Sequence, residues 1–136
     1  MVSSGTGDLF LLDSSACIPI LRKQGSLADL PSPDTVVIST IVAAELLTGV
    51  QKVTATHPQH AARLESFLAI FQMAEFTEDA ARHYAEIRAD LERRGKTIGP
   101  MDLLIAAHAR SLGATLVTRN AKEFRRVKGL QILALK

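Results

Sequence analysis

Four short stretches of this chain are apolar at nearly every position: "LFLLD" (Leu9–Asp13), "TVVIS" (Thr35–Ser39), "ATLVT" (Ala114–Thr118) and "LQILAL" (Leu130–Leu135). A strand with one wet face alternates apolar and polar residues. A strand apolar at successive positions must be covered on both faces. "MAEF" (Met73–Phe76) is a fifth, weaker candidate. This feature rules out a one-sided sheet and asks for helices above and below.

The intervening segments supply them. "SSACIPILRK" reads as a short helix, with Pro19 tolerated only near its first turn. "IVAAELLTGV" reads as a helix stopping near Gly49. "PQHAARLESFLAIF" places Ala61, Leu64, Phe67, Leu68 and Phe71 at helical spacing. "TEDAARHYAEIRADLERRG" has Thr77 as N-cap, two acids in its first turn, and Arg93 and Arg94 before Gly95. "GPMDLLIAAHARSLG" opens with Pro100 near the first helical position and closes at Gly113. "TATHP" reads as a loop between two helices. Strands alternating with helices predict an α/β domain: a mostly parallel central sheet of four to five strands, with helices on both faces.

The chain has 136 residues, which suits one domain over 1–136, with 1–7 expected as a flexible N-terminal extension. Aromatic residues are only 4% and Trp is absent, so the core is aliphatic and a set of aromatic platforms for stacking bases is excluded. Cys17, the one cysteine, lies among apolar neighbours and reads as a buried thiol; an internal disulfide and a Cys-rich zinc site are excluded. No stretch approaches the ~18 apolar residues of a membrane span, and no targeting segment is visible at the start. A cytoplasmic setting without membrane contact is the expectation. The net charge of +2 is too small to imply nucleic acid by itself.

In an open parallel sheet, ligands collect at the carboxyl ends of the strands. The first strand ends at Asp13 and Ser14; the second ends at Ser39 and leads into a helix carrying Glu45. "ATLVT" ends at Thr118, followed by Arg119 and Asn120. A helix leading into a parallel strand starts at that same edge, which brings in Asp102. Asp13, Glu45, Asp102 and Asn120 are therefore expected to converge as hard oxygen donors, a set suited to Mg²⁺ or Mn²⁺. Each also has a plainer reading. Asp13 suits an N-cap, Glu45 shares a helical face with Thr48 and Lys52, Asp102 suits a helix dipole, and Asn120 suits a turn. His57, His60, His83 and His108 show no metal-ligand spacing; His108 lies on the apolar helix and reads as packed.

"LFLLDSSACIPIL", "VISTIVAAELLTGV" and "GPMDLLIAAHARSLGATLVTRNAKEFRRVKGLQI", in that order, resemble the PIN-domain ribonucleases, and among them the VapC-like toxins of bacterial toxin–antitoxin pairs. The resemblance covers nearly the whole chain. It implies a PIN-like fold and a Mg²⁺- or Mn²⁺-dependent endoribonuclease that leaves 5′-phosphate and 3′-hydroxyl ends. The family's first three acids fall on Asp13, Glu45 and Asp102; its frequent fourth acid falls on Asn120, a departure that bears on a second metal ion. Glu123, one helical turn on, is a second source of charge. The resemblance places polar support for the acids at Ser14 and Thr118, and implies a cognate antitoxin and a homodimer. The basic tail carrying Arg119, Lys122, Arg125, Arg126 and Lys128 then reads as a holder of RNA phosphates, or as a solvated charged face. Two alternatives stand beside this: a catalytically weakened RNA-binding module, and a receiver-type phosphoacceptor domain, which would want an acid after "TVVIS" that this chain lacks.

Overall fold

The computed structural model describes residues 8–136; the extension expected over 1–7 lies outside the described residues. Five strands form one sheet: β1 (Phe10–Leu12), β2 (Val36–Ser39), β3 (Gln72–Ala74), β4 (Thr115–Thr118) and β5 (Gln131–Ala134). Their order is β3-β2-β1-β4-β5, and every pairing is parallel. The expected mostly parallel sheet is thus wholly parallel. In its centre Leu11 lies opposite Val37 on one side and Leu116 on the other, all three buried. Three of the four continuous runs are the inner strands β1, β2 and β4; the fourth, "LQILAL", is the edge strand β5, which pairs only with β4 and stays mostly exposed, so the expectation of cover on both faces fails there. β3 is an edge strand with exposed Gln72 and Met73, which is why "MAEF" gave the weakest signal.

The helices are α1 (Ser14–Leu21), α2 (Thr40–Val53), α3 (Gln59–Leu68), α4 (Glu78–Arg93), α5 (Pro100–Ser111) and the single turn α6 (Ala121–Phe124). Crossovers between parallel strands are right-handed. The steps β1→β2→β3 therefore carry α1, α2 and α3 to one face, and the return to β4 carries α4 and α5 to the other. The packing agrees: α1, α2 and α3 touch one another, and α4 lies along α5. Because the chain winds outward in both directions from β1, the boundary between β1 and β4 is the switch point, where an open α/β sheet leaves a crevice above its strand ends.

Three local expectations fail, each for a physical reason. Pro19 is not in the first turn of α1 but near its end; the helix stops at Leu21, so the proline removes only one bond, to the Ser15 carbonyl. Gly49 does not stop α2, which continues to Val53; a Cβ there would meet nothing within 4 Å, so glycine adds flexibility without breaking the helix. Phe71 lies beyond α3, yet it is buried against Phe67, with ring centroids 5.2 Å apart. Its period matched the helix by coincidence of place in the core. Thr77 does cap α4, accepting the Ala80 amide at 3.3 Å. Gly113, at φ 64°, makes the left-handed turn that lets Ala114 N–H close onto the Ala109 carbonyl and enter β4. No helix among the described residues is long and apolar enough to cross a membrane.

Candidate active site

The switch point holds Asp13. It follows β1 directly, its backbone amide still donating to the Val117 carbonyl of β4 at 3.1 Å, and its side chain caps α1 by accepting Ala16 N–H at 3.0 Å. The cap reading is therefore correct, but it uses only part of the carboxylate. Ser15 Oγ donates to the same oxygen, Oδ1, at 2.6 Å, and Thr118 Oγ1 donates to Oδ2 at 2.5 Å. An ionised carboxylate offers about four acceptor positions. Three are filled, so what remains to Asp13 is a lone pair on Oδ2.

Thr118, the last residue of β4, is fully buried, and its hydroxyl oxygen also accepts the Asn120 amide at 2.9 Å. Ser15 Oγ accepts the Arg119 amide at 2.9 Å and stands 3.3 Å from Thr118 Oγ1. Ser15, Thr118 and the turn after β4 thus form a polar clamp on Asp13. Ser14, named with Thr118 as polar support, makes no hydrogen bond to Asp13; its hydroxyl sits beside Glu45 and acts to lower that residue's pKa. Beside Asp13 the polar support comes from Ser15 together with Thr118. The signal for Ser15 was positional: two residues after a capping Asp, a hydroxyl can fold back on the cap.

Glu45 lies in the second turn of α2, half-buried, with Oε1 out of solvent and without a hydrogen-bond partner. Its pKa is raised by burial, then by the charges of Asp102 and Asp13. Asp102 lies in the first turn of α5; its pKa too is raised by burial, then by Glu123 and Asp13. A helix N-terminus favours an anion by ~0.3–1 kcal/mol. At Asp102 burial and neighbouring acids act against that, raising its pKa. Burial raises Asp13 as well, against the opposing bonds from Ser15, Thr118 and Ala16. Asp13, Glu45 and Asp102 thus face one crevice and repel, with exposed Glu123 close enough to join them. An open cleft of about 320 Å³, lined by Ala44, Glu45, Thr48 and Met101, lies between α2 and the first turn of α5.

Among the described residues, no three acidic, His or Cys side chains are drawn close enough to hold one ion. Asn120 caps nothing with its side chain and is exposed at the rim. The donor chemistry still suits a hard divalent cation, since every group on offer is an oxygen, and a desolvated carboxylate oxygen without a partner is costly unless something positive meets it.

The basic tail divides. Arg126 donates to the Thr97 carbonyl at 3.0 Å, and Lys128 lies 3.7 Å from Asp90 on α4. Lys122 and Arg125 are exposed and form no salt bridge among the described residues. Arg119 is half-buried, its Nε without a partner.

A family model described as "PIN domain" matches residues 10–130. The chain is similar to "Ribonuclease VapC2" of Rickettsia felis, 38% identical over 127 residues, covering 90% of this chain and 94% of that protein. It is 36% identical over 125 residues to "tRNA(fMet)-specific endonuclease VapC" of Shigella flexneri, covering 90% and 94%. Among solved structures, VapBC2 from Rickettsia felis bound to a DNA fragment from its promoter superposes with a TM-score of 0.84 at 34% identity, over 94% of this chain and 99% of that one.

Proposed function

The chain belongs to the PIN-domain family, and from that premise we propose that it is a divalent-metal-dependent endoribonuclease, the toxin of a toxin–antitoxin pair. The observation that carries the metal reading is the bare, buried Oε1 of Glu45 beside the charges of Asp102 and Asp13. Mg²⁺ or Mn²⁺ would be held by Asp13 through Oδ2, by Asp102, and by Glu45 directly or through water. Bound there, it supplies an activated water for in-line attack and positive charge against the phosphodiester.

The remaining work falls to the chain's own groups. Ser15, Thr118 and Ala16 N–H keep Asp13 in one rotamer and oriented toward the crevice. Glu45, its proton affinity raised, is suited to orient the attacking water. Asn120 offers a neutral amide to complete the shell, so three acids serve where the family often has four. Lys122, Arg125 and Arg119 would hold RNA phosphates, an interaction that positions a strand without reading it; the exposure of Lys122 and Arg125 supports this. Arg126 and Lys128 contribute less, being engaged by Thr97 and Asp90.

RNA is the substrate and a cognate antitoxin the partner; a homodimer acting in the cytoplasm completes the proposal. The test uses metal-stripped protein and labelled RNA, with tRNA(fMet) first, since a relative's name points to it. Cleavage should appear on adding Mn²⁺ or Mg²⁺ and vanish in Asp13→Ala. RNA binding without cleavage at any metal concentration would favour a binding module. Light scattering that shows a monomer at working concentration would remove the homodimer.

A further inference from the structure

The described part of the chain buries four polar residues almost completely: Asp13, Thr118, Ser39 and His108. They form two pairs. Asp13 and Thr118 belong to the crevice. Ser39 and His108 lie apart from it, with His108 Nδ1 2.8 Å from Ser39 Oγ. Ser39 caps α2, its Oγ accepting the Ile41 amide at 3.0 Å, which leaves its hydroxyl proton free for Nδ1. Phe76 stands edge-on to the imidazole, with centroids 5.5 Å apart; Nε2 makes no well-formed hydrogen bond, although the Glu75 backbone is near enough to favour the charged ring.

Stability alone does not call for this pair, because two buried polar partners replaced by apolar groups of the same shape are often no less stable. The spacing suggests what it does. Ser39 and Glu45 are six positions apart along α2, and so are Asp102 and His108 along α5. At the rise of an α-helix each stretch is about 9 Å long. α2 packs against α5, Ser39 is bonded to His108, and one cleft is lined by both Glu45 and Met101, the residue before Asp102. Over these stretches the two helices therefore pass antiparallel, fastened at one end and repelling at the other.

We propose that the Ser39–His108 hydrogen bond limits how far α2 and α5 part under that repulsion, keeping Glu45 and Asp102 near enough for one divalent cation to close the gap. Ser39 and His108 are then positioning residues for the metal site. The inference rests on the metal-dependent reading above.

The test is calorimetric titration of metal-free protein with Mn²⁺, beside thermal melts and RNA cleavage. His108→Leu removes the bond and retains apolar bulk. His108→Asn can present a polar atom where Nδ1 stands. Phe76→Leu removes the neighbouring ring and leaves the bond. Mn²⁺ affinity should fall about tenfold in His108→Leu, the size usual when a group orienting metal ligands is lost. It should recover close to native in His108→Asn. Phe76→Leu should lower the melting temperature with Mn²⁺ affinity unchanged. Native affinity in a folded His108→Leu overturns the inference, and so does an equal loss in Phe76→Leu, which would mean general loosening. If His108→Leu does not fold, Ser39→Ala takes its place, with the same expected loss and the same overturning result. Native protein that shows no Mn²⁺ binding, or binding indifferent to Asp102→Asn, sinks the metal reading instead.

Discussion

Asp13 and Glu45 face the same crevice in opposite conditions. Asp13 has three donors on it and keeps only one lone pair on Oδ2. Glu45 buries an oxygen that nothing meets. The protein thus holds one carboxylate itself and leaves the other to be satisfied from outside. On the proposed reading, the contrast separates an anchor, whose removal should damage fold and chemistry together, from ligands whose repulsion is tolerated for chemistry alone. Asp102 stands with Glu45: no hydrogen bond reaches its side chain among the described residues, and its neighbours are acids.

The largest effect should come from the anchor. Asp13→Ala should abolish cleavage and also destabilise the metal-free protein by about 1–3 kcal/mol, because Thr118, Ser15 and the first turn of α1 lose their acceptor. Chemical denaturation with and without Mn²⁺ measures it, and an unchanged midpoint would break the distinction. Asp102→Asn should also abolish cleavage, yet leave the metal-free protein as stable as the native chain or more so at neutral pH. A marked fall in melting temperature would instead return Asp102 to the role of a helix-start residue.

A pH series sharpens the same point. A carboxyl whose pKa is raised in the folded state adds stability that is full below its unfolded pKa and lost as pH rises through the folded value. Asp102 is such a group. The stability gained by metal-free Asp102→Asn over the native protein should therefore be largest at neutral pH. It should shrink as pH falls through the raised pKa of Asp102. Taking the difference between the two proteins cancels His108, whose burial lowers its pKa and which acts in the opposite sense. A gain that grows toward acid pH would reverse the sign and refute the repulsion.

Two smaller effects follow. Asn120→Asp adds a fourth acid at an exposed rim position, where charges are well screened. Mn²⁺ should bind severalfold more tightly, read by titration, with a slight loss of metal-free stability. Lys122→Ala and Arg125→Ala should each weaken RNA binding and flatten its salt dependence, by up to about 0.7 in log–log slope for each single-strand phosphate left without its cation. Arg126→Ala should change that slope less and lower the melting temperature slightly through loss of the Thr97 bond.

What the sequence revealed tracks with how local each signal is. The inner strands were legible because burial on both faces leaves unbroken apolar runs. Asp13, Glu45 and Asp102 were legible as rim residues because strand ends and helix starts fix where a side chain emerges. Pro19 and Gly49 misled because a residue's general tendency yields to the length of helix and the space around it. Ser15 and Ser39 were hidden for another reason. A serine beside a helix start has an ordinary local role, and only tertiary contacts with Thr118 and His108 reveal the second one.

The bond from Thr118 to Asp13 spans 105 residues of chain. A ribosome adding ~5–20 residues per second therefore spends several seconds with Asp13 and Glu45 already made and no crevice for them to line. Until β4 is made, Asp13 lacks the Thr118 half of its clamp. On the proposed reading, truncated products that stop before β4 should be inert in the cleavage assay, although they already carry Asp13, Glu45 and Asp102.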